Sequence, residues 1–382
     1  MESSVSIDMF NPFTLVPYVS KELFCNRVEE TKNIADYLLG GSSVTLISPR
    51  RYGKTGLIFR VFEEVKERDS SIDVLYVDIY SSNCVDDFIK LFAEAIVNTL
   101  KKKSAISSFF RFLGGIRPVI SYDGITGNPK VSITYRDEEE KRSSLISIFK
   151  YLENRKNRVI VAIDEFQQIR NYPNIMMESL LRTHIQALKN VRFIFSGSKK
   201  HIMTGMFTDA RSPFYESSRV LFLDKIDKKV YSSFIRTIFE KYGRTVDDAA
   251  IEFITSWTKL HTFYTQSLCN HIFVKEDNYV SLEAAKRSAS QILAENEQQF
   301  LEIRNLLTPN QWNFLKAVAL EGEVRQPTSG KFIQKYSIGI PANAKRILQA
   351  LLDKELILTT NTREYTYYSV YNVFLSRWLE SL

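Results

Sequence analysis

The chain has 382 residues, 44% of them apolar and 25% charged, a usage that fits two or three globular domains and excludes a disordered or fibrous chain. Its three cysteines, Cys25, Cys84 and Cys269, are too few and too scattered for a disulfide framework or a cysteine metal site, and they fit a reducing compartment. The net charge of +7 is uneven: residues 101–158 hold 13 Lys and Arg against 6 Asp and Glu, a basic segment that either attracts nucleic acid or an acidic partner or is a solvated surface.

Residues 1–16 lack the basic start and apolar run of a signal peptide. No stretch reaches the roughly 18 uninterrupted apolar residues of a membrane helix. A cytoplasmic location without a membrane partner is expected. Asn11, Pro12 and Phe13 open an extended arm, and apolar residues at Ile34, Tyr37 and Leu38 mark a helix after it. Residues 44–47 read as a short strand. It runs into Ser48, Pro49, Arg50, Arg51, Tyr52, Gly53, Lys54 and Thr55, then into a helix carrying Leu57, Ile58, Val61, Phe62 and Val65. A second strand is expected over 74–79 and a helix over 85–100. Residues 107–136 interrupt this rhythm with Gly114, Gly115, Gly124 and Gly127 and two short strand patterns, the signature of a β-hairpin insertion. A helix follows over 138–154. The apolar runs 159–163, 191–195 (broken only by Arg192) and 220–223 suit strands buried on both faces of a parallel sheet. The expectation is an α/β core with a five-stranded, mostly parallel sheet and helices on both faces.

From 228 the strands stop. Helical patterns at 228–242, 247–258, 262–274 and 281–306 predict an all-α region, and Thr308 and Pro309 mark its end. Helices at 311–320, 331–336 and 342–354, then strands at 356–359 and 365–370, make a winged-helix layout. The predicted domains are 1–226 (core, with the insertion 107–136), 227–306 (all-α) and 307–382 (winged helix).

The segment Ser48 to Gly56 carries the chemistry. It matches the phosphate-binding P-loop pattern at Gly53, Lys54 and Thr55, with Ser48 where the first glycine stands. A strand turning abruptly into a helix aims backbone N–H groups and the helix N-terminus at phosphates. Lys54 would reach the β- and γ-phosphates of ATP, and Thr55 would bind Mg²⁺. The run ending in Asp164 and Glu165 supplies the complement. Asp164 would hold the Mg²⁺ shell, and Glu165 would orient and deprotonate the attacking water. Ser196 and Ser198, after another strand, are candidates for sensing the γ-phosphate. Arg211 and Arg219 are candidates for an arginine finger acting on a neighbouring copy, which would imply a homo-oligomer.

Residues 26–30, 49–55, 164–167 and 196–198 together resemble the archaeal-type ATPases of the AAA+/STAND superfamily. Ser121, Tyr122 and Asp123 with Thr126 to Pro129 look like that family's insertion, and His261 to Gln266 like its lid motif. The resemblance implies an ATPase core, a helical lid over 227–306, a winged helix and ATP-driven conformational switching. It also places residues from Phe24 to Arg27 along the adenine pocket. The sequence departs at Ser48 and at Lys259, Leu260 and Thr262, where the family has Gly-Gly and Pro. The alternative reading is a nucleotide-responsive DNA-binding regulator. Its recognition helix would carry Lys345, Arg346 and Lys354, in a segment (304–382) of only 10 Lys and Arg against 6 Asp and Glu. Winged helices also contact proteins. A non-enzymatic scaffold is disfavoured by the intact Glu165, and a kinase by the lack of a visible acceptor site.

Overall fold

Apolar strands, each followed by an amphipathic helix, dictate the architecture seen in a computed structural model of the chain. It describes residues 11–382 apart from 101–102, 114–116, 123, 125–128, 136, 174–176, 277 and 363. The expected hairpin turn at Asp123 and Thr126 to Asn128 thus lies largely outside the described residues. The chain forms two compact units, one of residues 16–224 and one joining 11–15 to 225–382.

In the first unit α1 (Val28–Leu39) precedes β1 (Val44–Ile47), α2 (Lys54–Arg68), β2 (Asp73–Asp78) and α3 (Val85–Thr99). Then come α4 (Lys103–Leu113), the antiparallel pair β3 (Arg117–Tyr122) and β4 (Pro129–Thr134), and α5 (Glu138–Glu153). The unit closes with β5 (Val159–Asp164), α6 (Met177–Gln186), β6 (Val191–Gly197), α7 (Lys200–Thr208) and β7 (Arg219–Phe222). The sheet order is β2-β5-β6-β1-β7, every pair parallel. β5 is buried throughout. Val159, Val161 and Ile163 pack with α3 to α7 on one face, Ile160 and Ala162 with α1 and α2 on the other. This double burial is why the run lacks alternation. Part of the expected irregular insertion is helical: α4 buries Phe109, Phe110 and Leu113 in the core.

The order also makes a crevice. From β1 the chain leaves towards β2 at one sheet edge, and from its neighbour β6 it leaves towards β7 at the other. Adjacent strands whose connections part in this way open a ligand-binding gap at their carboxyl ends.

The second unit holds α8 (Lys228–Lys241), α9 (Asp248–Trp257), α10 (Thr262–Lys275), α11 (Leu282–Glu295) and α12 (Glu297–Asn305). Between them sits a two-residue parallel pair, β8 (Thr245–Val246) and β9 (Tyr279–Val280). The helix expected over 281–306 is broken at Asn296, whose side chain donates to the Ile292 carbonyl at 2.7 Å and competes with the helix ladder. The winged helix comprises α13 (Pro309–Glu321), α14 (Gly330–Tyr336), α15 (Pro341–Asp353), β10 (Ile357–Asn361), β11 (Thr366–Val370) and α16 (Val373–Glu380). Thr308 opens it with a full capping box to Gln311. The arm joins this unit. Phe13 is 1% exposed against Phe239 and Phe273, the Asn11 side chain donates to the Asn270 carbonyl at 2.9 Å, and the Asn270 side chain donates to the Phe13 carbonyl at 2.7 Å.

Candidate active site

Parallel register brings four strand ends to one edge: Ile47 lies beside Gly197, and Asp78 beside Asp164. From Ile47 the backbone turns into α2 through left-handed residues at Arg51 (φ 63°) and Gly53 (φ 91°). Gly53 adopts that conformation without the steric penalty Arg51 meets. Ser48 does not need it. It stays outside the left-handed region, is buried, takes a backbone bond to the Gly197 carbonyl and donates its hydroxyl to the Pro49 carbonyl at 3.1 Å. That geometry explains why serine can replace glycine here.

Lys54, the first residue of α2, is 5% exposed and donates to the Ser48 and Pro49 carbonyls at 3.0 and 3.2 Å. Burial pushes its pKa below the ordinary lysine value, while Glu165 and Asp164 pull the other way. Thr55 donates its hydroxyl to Asp164 Oδ2 at 2.7 Å, and Tyr76 donates to the same oxygen at 2.9 Å. Burial, and then the charges of Asp164 and Glu165, raise the pKa of Asp78. Like-charged carboxylates crowded at one sheet edge suit a divalent cation. Among the described residues no set of three or more His, Cys, Asp or Glu forms a metal cage. A Mg²⁺ ion would therefore rest on the Thr55 hydroxyl, the Asp164 carboxylate and phosphate oxygens, the sparse protein ligation usual for this ion.

Glu165 follows β5 directly, in a left-handed conformation (φ 55°). A non-glycine residue held there stores strain of the kind found at functional positions. Its Oε2 accepts from Ser198 Oγ at 2.7 Å and from the Gln167 amide. Arg50 Nε reaches Ser198 Oγ at 3.5 Å, and its guanidinium lies 5.3 Å from the Tyr80 ring centroid. The loop, the end of β5 and the end of β6 thus form one connected polar group. Ser196 lies outside it, fully buried within β6 opposite Leu46.

The remaining candidates fall elsewhere. Arg27 caps α1 in a left-handed conformation, 5% exposed, with its guanidinium on Glu30 at 2.8 Å and on the Asp224 carbonyl at 2.5 Å. Gly56 lies under the chain segment that precedes it. A Cβ there would meet Phe24 Cε2 at 2.9 Å and press into the Pro17 carbonyl oxygen. Arg211 is 91% exposed on its side chain and pairs with Asp209 at 3.0 Å. Arg219 begins β7 beside Val44, at the sheet edge opposite the loop. In the second unit, Lys259 and Leu260 are both left-handed (φ 55° and 57°), the conformation that Gly-Gly would take freely. Tyr76 and Gln167 are site residues beyond the sequence candidates. Gln167 could be found from its place after Asp164 and Glu165, whereas Tyr76 reads as an ordinary strand aromatic.

Residues 24–261 match the family model described as an ATPase domain predominantly from Archaea, and residues 298–381 match a probable winged helix domain. No functionally curated protein matches the chain. A Walker-type ATPase of Pyrococcus abyssi superposes with a TM-score of 0.64 at 17% identity, covering 96% of this chain and 99% of its own. The ORC2 protein of Aeropyrum pernix, solved as ADPNP–ADP complexes, gives 0.59 at 16% identity, covering 97% and 96%. The ORC1 protein of the same organism, solved in complex with DNA, gives 0.55 at 13% identity, covering 97% and 96%. These likenesses establish a shared fold. With the family model spanning more than half its length, the chain belongs to the ATPases found predominantly in Archaea and carries a C-terminal winged helix.

Proposed function

We propose that the protein hydrolyses ATP with Mg²⁺ at residues 48–56 and uses nucleotide occupancy as a conformational switch in the cytoplasm. The observation that carries this reading is the 2.7 Å bond from Thr55 to Asp164, which joins the start of α2 to the end of β5, 109 residues apart in the chain. The backbone N–H groups from Arg50 to Gly56 would face the phosphates; Pro49 has no N–H and only fixes the turn. Lys54 would exchange its loop carbonyls for phosphate oxygens. Thr55 and Asp164 would hold the cation, Glu165 would take the proton of the attacking water, and Ser198 would sense the γ-phosphate. Arg27 would border the base while its guanidinium anchors the Asp224 carbonyl. A finger offered to a neighbouring copy would come from the exposed Arg211. In this reading 1–226, apart from the arm that packs with the second unit, is the motor core, 227–306 the lid and 307–382 the effector. ATP orders the lid and hydrolysis releases it. The cytoplasmic assignment fits three unbridged cysteines and, among the described residues, no helix long and apolar enough to cross a membrane.

The test is ATP turnover by purified protein beside Lys54→Ala and Glu165→Gln, with and without a chelator. Both variants should lose turnover, Glu165→Gln should keep ATP binding, and chelation should stop the parent. Parent-like hydrolysis by Glu165→Gln would sink the assignment.

A second reading, a nucleotide-responsive regulator, rests on the winged helix. Helix α15 buries Ala344, Ile347, Leu348 and Leu351 and leaves Lys345 and Arg346 exposed on its other side. Stimulation of turnover by duplex DNA would favour it, and stimulation by a protein partner alone would favour a contact module.

A further inference from the structure

The Oε2 atom of Glu165 is held by two donors, Ser198 Oγ at 2.7 Å and the Gln167 amide, while among the described residues no donor reaches Oε1. Two donors occupy the two lone pairs of one carboxylate oxygen and leave the other to accept a proton. We infer that Gln167 is a positioning residue for the catalytic base: with Ser198 it fixes the carboxylate so that Oε1 alone takes the proton. In the step concerned the water O–H bond breaks, its proton passes to Oε1, and the oxygen bonds to the γ-phosphorus as the link to ADP breaks. The inference rests on the reading of Glu165 as general base.

Two further observations show a built device. Gln167 is 2% exposed, locked in a 3-10 turn over Phe166–Asn171 directly after the strained Glu165. It also occupies a notch that exists only because residue 197 is glycine. A Cβ on Gly197 would sit 2.5 Å from Met203 Sδ and press into Gln167 Oε1. The end of β6 thus supplies Ser198 as one donor and, through the missing side chain of Gly197, the space for the other.

The experiment compares kcat, KM and ATP affinity for the parent, Gln167→Leu, Gly197→Ala, Ser198→Ala and the double variant Gln167→Leu with Ser198→Ala, with Glu165→Gln as reference. Gln167→Leu keeps the volume and removes the donor. Its kcat should fall roughly ten- to a hundredfold, the size of one hydrogen bond to a charged group, with affinity unchanged. Gly197→Ala, which displaces Gln167 without changing its chemistry, should show the same split. The two donor losses should be less than additive, because they serve one oxygen. Unchanged kcat in both Gln167→Leu and Gly197→Ala, with turnover abolished in Glu165→Gln, overturns the role of Gln167 and leaves the base in place. Loss of ATP affinity in parallel with kcat overturns it in favour of a structural role. Turnover persisting in Glu165→Gln removes the base itself, and the inference with it.

Discussion

Burial holds the Lys54 ammonium on two carbonyls of its own loop and depresses its pKa. An incoming triphosphate replaces weak dipoles with full negative charge, which favours the protonated form. Binding should therefore take up protons, and more of them as the pH rises towards the depressed pKa, where the ligand-free lysine is increasingly neutral. Titration calorimetry in buffers of different ionisation heat measures this directly; a proton release that grows with pH would contradict it. Gly56 is constrained from the other side, so Gly56→Ala should destabilise the core by about 1–3 kcal/mol through overpacking and weaken ATP binding. Denaturant melts and equilibrium binding test the two effects separately. At the α9–α10 turn the left-handed Leu260 should accept glycine within about 1 kcal/mol, whereas Leu260→Val, β-branched in that conformation, should cost about 1–2 kcal/mol more. Denaturant midpoints of the two variants decide it.

At the scale of elements, the strand runs, the 48–55 loop and the acids after β5 were legible because each is local. A doubly buried strand must be apolar throughout, and a phosphate loop needs its residues within one turn of a helix. What tertiary contact decides was not legible. Helix α4 lies in a glycine-interrupted segment whose local signals favour turns, and its amphipathic pattern gains meaning only against α5. Tyr76 becomes a site residue only because β2 pairs with β5 in a register that sets its hydroxyl against Asp164. Helix α16 is too short to announce itself, yet it latches the α9–α10 turn to the winged helix. Arg377 donates to the Trp257 and Ser256 carbonyls at 2.8 and 3.1 Å and pairs with Glu380 at 2.7 Å. Lys259 reaches Ser376 Oγ at 3.2 Å, and Trp257 and Tyr264 pack on Phe374. Arg377→Ala should therefore cost about 1–3 kcal/mol, read as a lower melting temperature, and should loosen the α9 end in hydrogen exchange. Unchanged protection at Ser256 and Trp257 would count against the latch.

At the scale of the whole molecule, charge separates the two functional readings. If the winged helix and the basic 101–158 segment grip duplex DNA through 6–10 phosphates, affinity should drop by about 10³–10⁵ between 50 and 200 mM salt. A flat response, followed by fluorescence anisotropy, would leave protein contact as the role of the winged helix. The chain also enters the second unit twice, once as the arm and once after Asp224. A fragment beginning at residue 225 would therefore carry an empty slot between Phe239 and Phe273, and an Asn270 stripped of the bonds it makes to Asn11 and to the Phe13 carbonyl. A synthetic peptide spanning the arm should fill that slot in trans and raise the fragment's melting point, whereas a Phe13→Ala peptide should not. The arm would then serve as a natural split point for a two-piece reporter of the second unit's assembly.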